Sequence, residues 1–267
     1  MAHESLQRAW AQGRPAVGGW VSRAPDFVID MFRRAGYDFI GIDCQHTPAD
    51  ESAVAALLAA LAPGGPPAFV RVSKNDPSLI GLIADAGADG VIVPAVSSAE
   101  EARAAVAAVR YPPRGIRSYG PMRADLPVGD LTALADRVSV LVMIETEEGL
   151  DRVDEIVGVP GVAGVYIGPA DLSIALGMDP TLAFSSDQLV DAVERIRRAC
   201  ASAGIIVGMH QTSAADAARW AARGVQLMSI SDRFMLYAAV QETLRAARSA
   251  ALAPHARPES TAGTASI

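Results

Sequence analysis

Acid, base and cation meet at a few points along this chain: Asp43-Cys44-Gln45-His46, Arg71, Glu145, and Gly168-Pro169-Ala170-Asp171. Each follows a short apolar run. Two carboxylates brought together, such as Glu145 and Asp171, are what a hard divalent cation like Mg²⁺ or Mn²⁺ asks of a protein, with water and ligand oxygens completing the shell. Helix capping is the alternative for both, since acidic groups favour helix N-termini. It does not explain why both should fall at neighbouring strand ends. Of the four histidines, His3 and His255 lie near the termini, which leaves His46 and His210 for the core and excludes a three-histidine zinc site. Asp43, three residues before His46, could hold that imidazole in one tautomer and raise its basicity. Arg71 offers a planar fork suited to the carboxylate of a 2-oxo acid. Lys74 is the single lysine and stands in the polar run Ser73-Lys74-Asn75-Asp76-Pro77, a poor setting for imine chemistry, which needs a desolvated amine.

These groups can act together only if the fold gathers them. Eight Val- and Ile-rich runs recur: 17–21, 39–43, 68–72, 90–94, 138–144, 164–167, 204–209 and 226–230. Ala-, Leu-, Arg- and Glu-rich helical stretches lie between them, among them 51–61, 99–109, 187–203 and 214–222. Buried parallel strands with crossover helices read this way. Eight such units predict a single-domain (β/α)8 TIM barrel over residues 1–253, and in such a barrel the C-terminal strand ends converge on one mouth. Trp20, Asp43, His46, Arg71, Glu145, Asp171, His210 and Asp232 then form a polar ring above an apolar interior. A doubly wound open sheet is the rival, but Gly18-Gly19-Trp20-Val21-Ser22 lacks the dinucleotide fingerprint expected after its first strand. The Pro- and Gly-containing connection 110–130 is expected to overhang the mouth. The Ala-, Ser-, Thr- and Pro-rich tail 254–267 is expected to be flexible.

Bulk properties narrow the partners. The chain has 267 residues, 51% of them hydrophobic, and a formal charge of −7, with a pI near 5.1. That balance argues against nucleic acid, whose phosphates demand clustered Lys and Arg. No apolar run reaches the ~20 residues that span a bilayer, and the N-terminus lacks a signal-peptide pattern. Cys44 and Cys200, the only two cysteines, suggest no disulfide framework. A cytoplasmic protein without membrane partners is the expectation.

At these residues the sequence resembles the HpcH/HpaI family of class II, metal-dependent pyruvate aldolases, from about Gly18 to Leu236. The stretches that carry the likeness are 37–46, ending Asp43-Cys44-Gln45-His46; Val70-Arg71-Val72 with Asn75-Asp76-Pro77; Tyr111-Pro112-Pro113-Arg114-Gly115-Ile116-Arg117; Ile144-Glu145-Thr146; and Tyr166-Ile167-Gly168-Pro169-Ala170-Asp171-Leu172. The resemblance implies a barrel of the phosphoenolpyruvate/pyruvate-domain type, with Glu145 and Asp171 as ligands to Mg²⁺, Mn²⁺ or Co²⁺. It implies His46 with Asp43 as the acid/base pair, Arg71 on the keto-acid oxygens, and the backbone of Gly168, Pro169 and Ala170 around the carboxylate. It further implies a hexamer, a trimer of dimers joined through C-terminal helices. Two positions depart from the pattern: Gln45 where Glu is common, and Met143 where many relatives carry Gln.

The expected reaction is reversible aldol cleavage of a 4-hydroxy-2-oxo acid to pyruvate or hydroxypyruvate and an aldehyde, with His46 handling the C4 hydroxyl proton. Trp20, Gln45, His210, Gln211 and the connection carrying Arg117 are candidates for the substrate pocket. An acyl-CoA lyase is one rival, although no basic cluster for a nucleotide diphosphate is evident. A barrel that only binds metal and keto acid is the other.

Overall fold

The computed structural model describes residues 3–22, 25–61, 64–180 and 186–252. Eight parallel strands close on themselves in sequence order: β1 (Ala16–Val21), β2 (Phe39–Asp43), β3 (Ala68–Arg71), β4 (Gly90–Val93), β5 (Ser139–Met143), β6 (Val162–Ile167), β7 (Ile206–Gln211) and β8 (Leu227–Ser231). Every expected strand is present, with ends that agree to within two residues. The shift at β7 has a clear cause. Gly204 adopts φ +68 as the left-handed cap of the preceding helix, so the extended backbone starts later.

The helices follow their caps. Asp50, Asp76, Ser98, Ser186 and Ser213 each accept a backbone N–H at the start of α3 (Glu51–Ala60), α4 (Pro77–Asp85), α5 (Ala99–Val109), α10 (Asp187–Ala203) and α11 (Ala214–Ala221). Four short helices intervene: α6 (Leu131–Asp136), α7 (Glu147–Asp151), α8 (Val153–Val157) and α9 (Pro169–Ala175). The chain also carries α1 (Glu4–Ala11), α2 (Pro25–Ala35) and the long α12 (Asp232–Leu252). Helix α1 was not anticipated from sequence; it buries Leu6 and Ala9 in the inner apolar cluster of the barrel. The tail 254–267 lies outside the described residues.

Two cores divide the strand faces by parity. Side chains such as Ile42, Val70, Val91, Val142 and Val165 pack outward against the helices. Trp20, Phe39, Phe69, Leu141, Met143 and Tyr166 fill the barrel. Bulky inward rings fit because a glycine faces each on a neighbouring strand. A Cβ on Gly41 would lie 2.3 Å from Trp20 Cε3, and one on Gly208 would lie 3.0 Å from the Tyr166 ring. Both cysteines are buried, and burial pushes the Cys44 and Cys200 thiols up to about 12.

Because the Trp20 ring occupies the space a Gly41 side chain would need, Gly41→Ala should cost about 1–3 kcal/mol, the range for overpacking a filled core. It should also shift the intrinsic fluorescence as Trp20 moves. Denaturant melts followed by fluorescence read both; an unchanged midpoint would mean that Trp20 does not fill that space.

Candidate active site

Strand register brings the first pair of charges together. Asp43 and Arg71 are partners across β2 and β3 and both face inward. Arg71 Nε donates to Asp43 Oδ1 at 2.8 Å and Nη2 to Oδ2 at 2.7 Å, a two-pronged ion pair with side chains 10% and 3% exposed. Burial alone would push the Asp43 carboxyl up; the Arg71 guanidinium, with the Gln45 N–H, overcomes this and holds it below the usual carboxylate range. Arg71 Nη1 makes no hydrogen bond among the described residues. The guanidinium carbon sits 5.3 Å from the Trp20 ring centre, and Trp20 stacks on Tyr166 at 5.5 Å and 13°. The cation is therefore clamped from one side and supported from below.

The expected hydrogen bond between Asp43 and His46 is absent among the described residues. Both Asp43 oxygens are engaged by Arg71, because a guanidinium fork matches a carboxylate better than one imidazole N–H does. His46 stands exposed on the loop after β2 while still lining the cavity. Asp43 Oδ1 instead receives the Gln45 N–H at 3.0 Å, which turns the chain at the base of that loop.

The carboxylate pair sits across the mouth. Glu145 follows β5 and is 7% exposed. Its Oε1 accepts the Ala95 N–H at 2.8 Å, and Ala95 is the one described non-glycine residue in the left-handed region, at φ +52. A conformation that costs about 1 kcal/mol or more is thus spent aiming an amide at this acid. Oε2 of Glu145 is buried without a partner. Asp171 lies in the first turn of α9, exposed to the cavity. A Cβ built on Gly168 would fall 2.6 Å from Glu145 Oε2 and 3.6 Å from Asp171 Oδ2, so both acids converge on one point and only glycine leaves room for them. Burial raises the Glu145 carboxyl, the Ala95 N–H offsets part of this, and the nearby Asp171 charge raises it further. A buried unpaired oxygen facing a second carboxylate is the donor set that a hard cation fits. Among the described residues no group of three or more His, Cys, Asp and Glu side chains gathers as a metal cluster, so these two acids would be the protein's whole contribution.

The cavity between these groups measures about 210 Å³. Of the residues expected there, Trp20, Asp43, His46, Arg71, Gly168, Pro169, Ala170, Asp171 and His210 line it. Gln45 does not. Gln211 is fully buried behind the β7 wall. The connection 110–130 also stays clear of the cavity: Arg117 is buried, paired to Asp85 at 2.7 Å and placed under the Tyr111 ring. Lys74 is exposed and 3.6 Å from Asp76, as a solvated ammonium should be.

Sequence reasoning passed over several lining residues. Ser22, Met143, Tyr166, Thr212, Ser231, Arg233 and Phe234 complete the wall. Strand parity could have found two of them. Tyr166 shares its face with Gly164 and Gly168, and Met143 shares its face with Leu141. Ser22 N–H and Oγ both bond Asp232, which ties the end of β1 to the start of α12 beneath Arg233 and Phe234.

Compared with known proteins, residues 17–238 match the model of the HpcH/HpaI aldolase/citrate lyase family, and the chain belongs to that family. It is 38% identical over 246 residues to a hydroxypyruvate/pyruvate aldolase of Rhizorhabdus wittichii, covering 91% of this chain and 98% of the relative. A 4-hydroxy-2-oxo-heptane-1,7-dioate aldolase of Shigella sonnei is 36% identical over 261 residues, covering 95% and 98%. Among solved structures, an HpcH/HpaI aldolase/citrate lyase family protein from Burkholderia cenocepacia superposes with a TM-score of 0.82 at 30% identity, over 91% of this chain and 98% of the other.

The clamp on Arg71 gives a stability test. Arg71→Met would leave Asp43 buried and unpaired, a loss of about 3–5 kcal/mol at neutral pH. The sign follows from linkage: Asp43, held low in the native protein, adds stability above the ordinary carboxylate range that fades as pH falls through its native pKa, whereas unpaired it would be raised by burial. The gap between variant and parent should therefore narrow on acidification. Urea melts across pH measure it, and a gap independent of pH would contradict the ion pair.

Proposed function

We propose that the protein is a metal-dependent carbon–carbon lyase that cleaves a 4-hydroxy-2-oxo acid to pyruvate or hydroxypyruvate and an aldehyde. The observation that carries this is the meeting of Glu145 Oε2 and Asp171 Oδ2 over Gly168, opposite the clamped guanidinium of Arg71. Glu145 and Asp171 would hold Mg²⁺, Mn²⁺ or Co²⁺. Bound there, the cation supplies Lewis-acid polarisation of the carbonyl at C2. Arg71 Nη1 points its charge at the same substrate oxygens and compensates the negative charge that grows on the C2 oxygen as the C3–C4 bond breaks. The amides of Ala170 and Asp171, in the first turn of α9, have no acceptor within the helix and suit the carboxylate of the 2-oxo acid. Stacked Trp20 and Tyr166 exclude water from below. His46, at the rim, takes the C4 hydroxyl proton on a ring nitrogen and returns it in the condensation direction. Its exposure leaves it free to meet the aldehyde end.

Release of pyruvate from 4-hydroxy-2-oxo acids, coupled to lactate dehydrogenase, tests this reading. Activity should vanish in EDTA and return with Mg²⁺, Mn²⁺ or Co²⁺. His46→Ala should lower kcat about 10²–10⁴-fold, the usual worth of general acid–base catalysis, with cation affinity by titration calorimetry unchanged. Full activity in the chelator would overturn the reading.

We further infer a cytoplasmic homo-oligomer, a hexamer arranged as a trimer of dimers. On α12, Leu236 and Tyr237 are each 67% exposed and Val240 53%, and on α2 Phe27 is 67% exposed. That much apolar surface on two helices needs covering. The family resemblance supplies the occupant, a second copy. Light scattering should report a hexamer at neutral pH, and Leu236→Glu with Val240→Glu should reduce it to smaller species; a monomeric parent protein would refute the inference.

A further inference from the structure

Inside the barrel a row of three hydroxyl and imidazole groups is left over once the chemistry above is assigned. His210 and Ser229 are register partners across β7 and β8, and Tyr166 faces them across the gap that Gly208 leaves. His210 Nδ1 lies 3.1 Å from Ser229 Oγ, and Ser229 Oγ is in close hydrogen-bond contact with Tyr166 Oη. Ser229 is fully buried and Tyr166 is 1% exposed. Neither hydroxyl has another partner among the described residues.

The proton positions in such a row can be counted. If Nδ1 carried the proton, Ser229 Oγ would accept it, and either the phenol proton or the Ser229 proton would be left buried without an acceptor, at full desolvation cost. If Tyr166 donates to Ser229 and Ser229 donates to Nδ1, every buried group is satisfied. Burial raises the Tyr166 phenol, which keeps its proton available. The second arrangement leaves His210 neutral, with its remaining proton on Nε2. Burial above all, with the positive charges of Arg71 and Arg233 and against the opposing Asp43, lowers the imidazole to about 4. Nε2 has no partner among the described residues, and His210 lines the cavity edge-on to Trp20 at 5.5 Å.

We propose that Tyr166, Ser229 and His210 form a proton-ordering relay that fixes His210 as an Nε2–H donor to the acceptor aldehyde, making the site selective for α-hydroxyaldehydes. The location argues for the acceptor. The 2-oxo acid is assigned to the Arg71, Glu145 and Gly168–Asp171 side, whereas His210 shares the β7–β8 side of the cavity with Thr212, Arg233 and Phe234. A fixed donor there rewards a substrate oxygen and leaves a hydrogen bond unmade when the aldehyde lacks one. His210 thereby acts in specificity, and Tyr166 and Ser229 act as positioning residues through it. The substrate class rests on the aldolase reading; the proton arrangement does not.

The test has two arms on the intact protein. In the first, ¹⁵N-histidine NMR of His210, assigned by comparison with His210→Leu, should show the proton on Nε2 and no titration between about pH 5 and 9. Ser229→Ala, which removes the donor to Nδ1, should let the Nδ1–H tautomer appear. A proton on Nδ1 in the parent protein, or an ordinary histidine titration, overturns the relay whatever reaction the protein performs. In the second, condensation with pyruvate should give a ratio of kcat/KM for glycolaldehyde over acetaldehyde that falls about tenfold in His210→Leu, the worth of one hydrogen bond, and by less in Ser229→Ala. An unchanged ratio in an active enzyme overturns the specificity assignment, whereas inactivity of the parent protein with every aldehyde counts against the aldolase reading and leaves the NMR arm decisive for the relay.

Discussion

The two-pronged ion pair between Asp43 and Arg71 is the contact around which the mouth of the barrel is organised. It joins adjacent strands at the level where the apolar interior gives way to polar groups, and it is nearly closed to water. A charged pair in such a place adds little net stability over a well-packed apolar pair. What it contributes is orientation. With Nε and Nη2 committed to Asp43, the guanidinium is fixed over Trp20 at the cavity wall. The same cation then biases its neighbours, holding Asp43 ionised and helping to keep His210 neutral.

Across the cavity the balance is reversed. Glu145 and Asp171 approach each other with one oxygen unpaired and burial opposing the charge, a local cost that a purely structural role would not require. The left-handed Ala95 and the bare Cα of Gly168 both serve this arrangement. Strain and repulsion are concentrated on the β5–β6 side and the compensated ion pair on the β2–β3 side, so the charge across the mouth is polarised in a way that suits a substrate with an anionic, chelating end.

Much of this was legible in the sequence because the relevant signals are local. Buried parallel strands must be continuously apolar, so the eight strands stood out, and the polar residues that end them mark the mouth. Side-chain pairing was less legible. The spacing of Asp43 and His46 suggested a pair, yet strand register sets Asp43 beside Arg71, twenty-eight positions away. Register between strands is a property of the closed barrel and leaves no trace in a three-residue interval. The same holds for Arg117, which the sequence places near the mouth and the fold buries against Asp85, and for Tyr166, whose value as a phenol depends on Ser229 and Gly208 from other strands. Helix α1 escaped notice because its apolar face is only Leu6 and Ala9 with the half-buried Trp10 beside them.

The barrel also separates its tasks around its circumference. The groups proposed to hold the cation and the keto acid follow β2, β3, β5 and β6, while the proposed relay and the residues beside it come from β6 through the start of α12. Apart from Tyr166, the two sets share no side chain. Substitutions on the β7–β8 arc can therefore drift under selection for a new co-substrate while the opposite arc keeps its geometry, a modularity that lets one scaffold diversify without first losing its reaction.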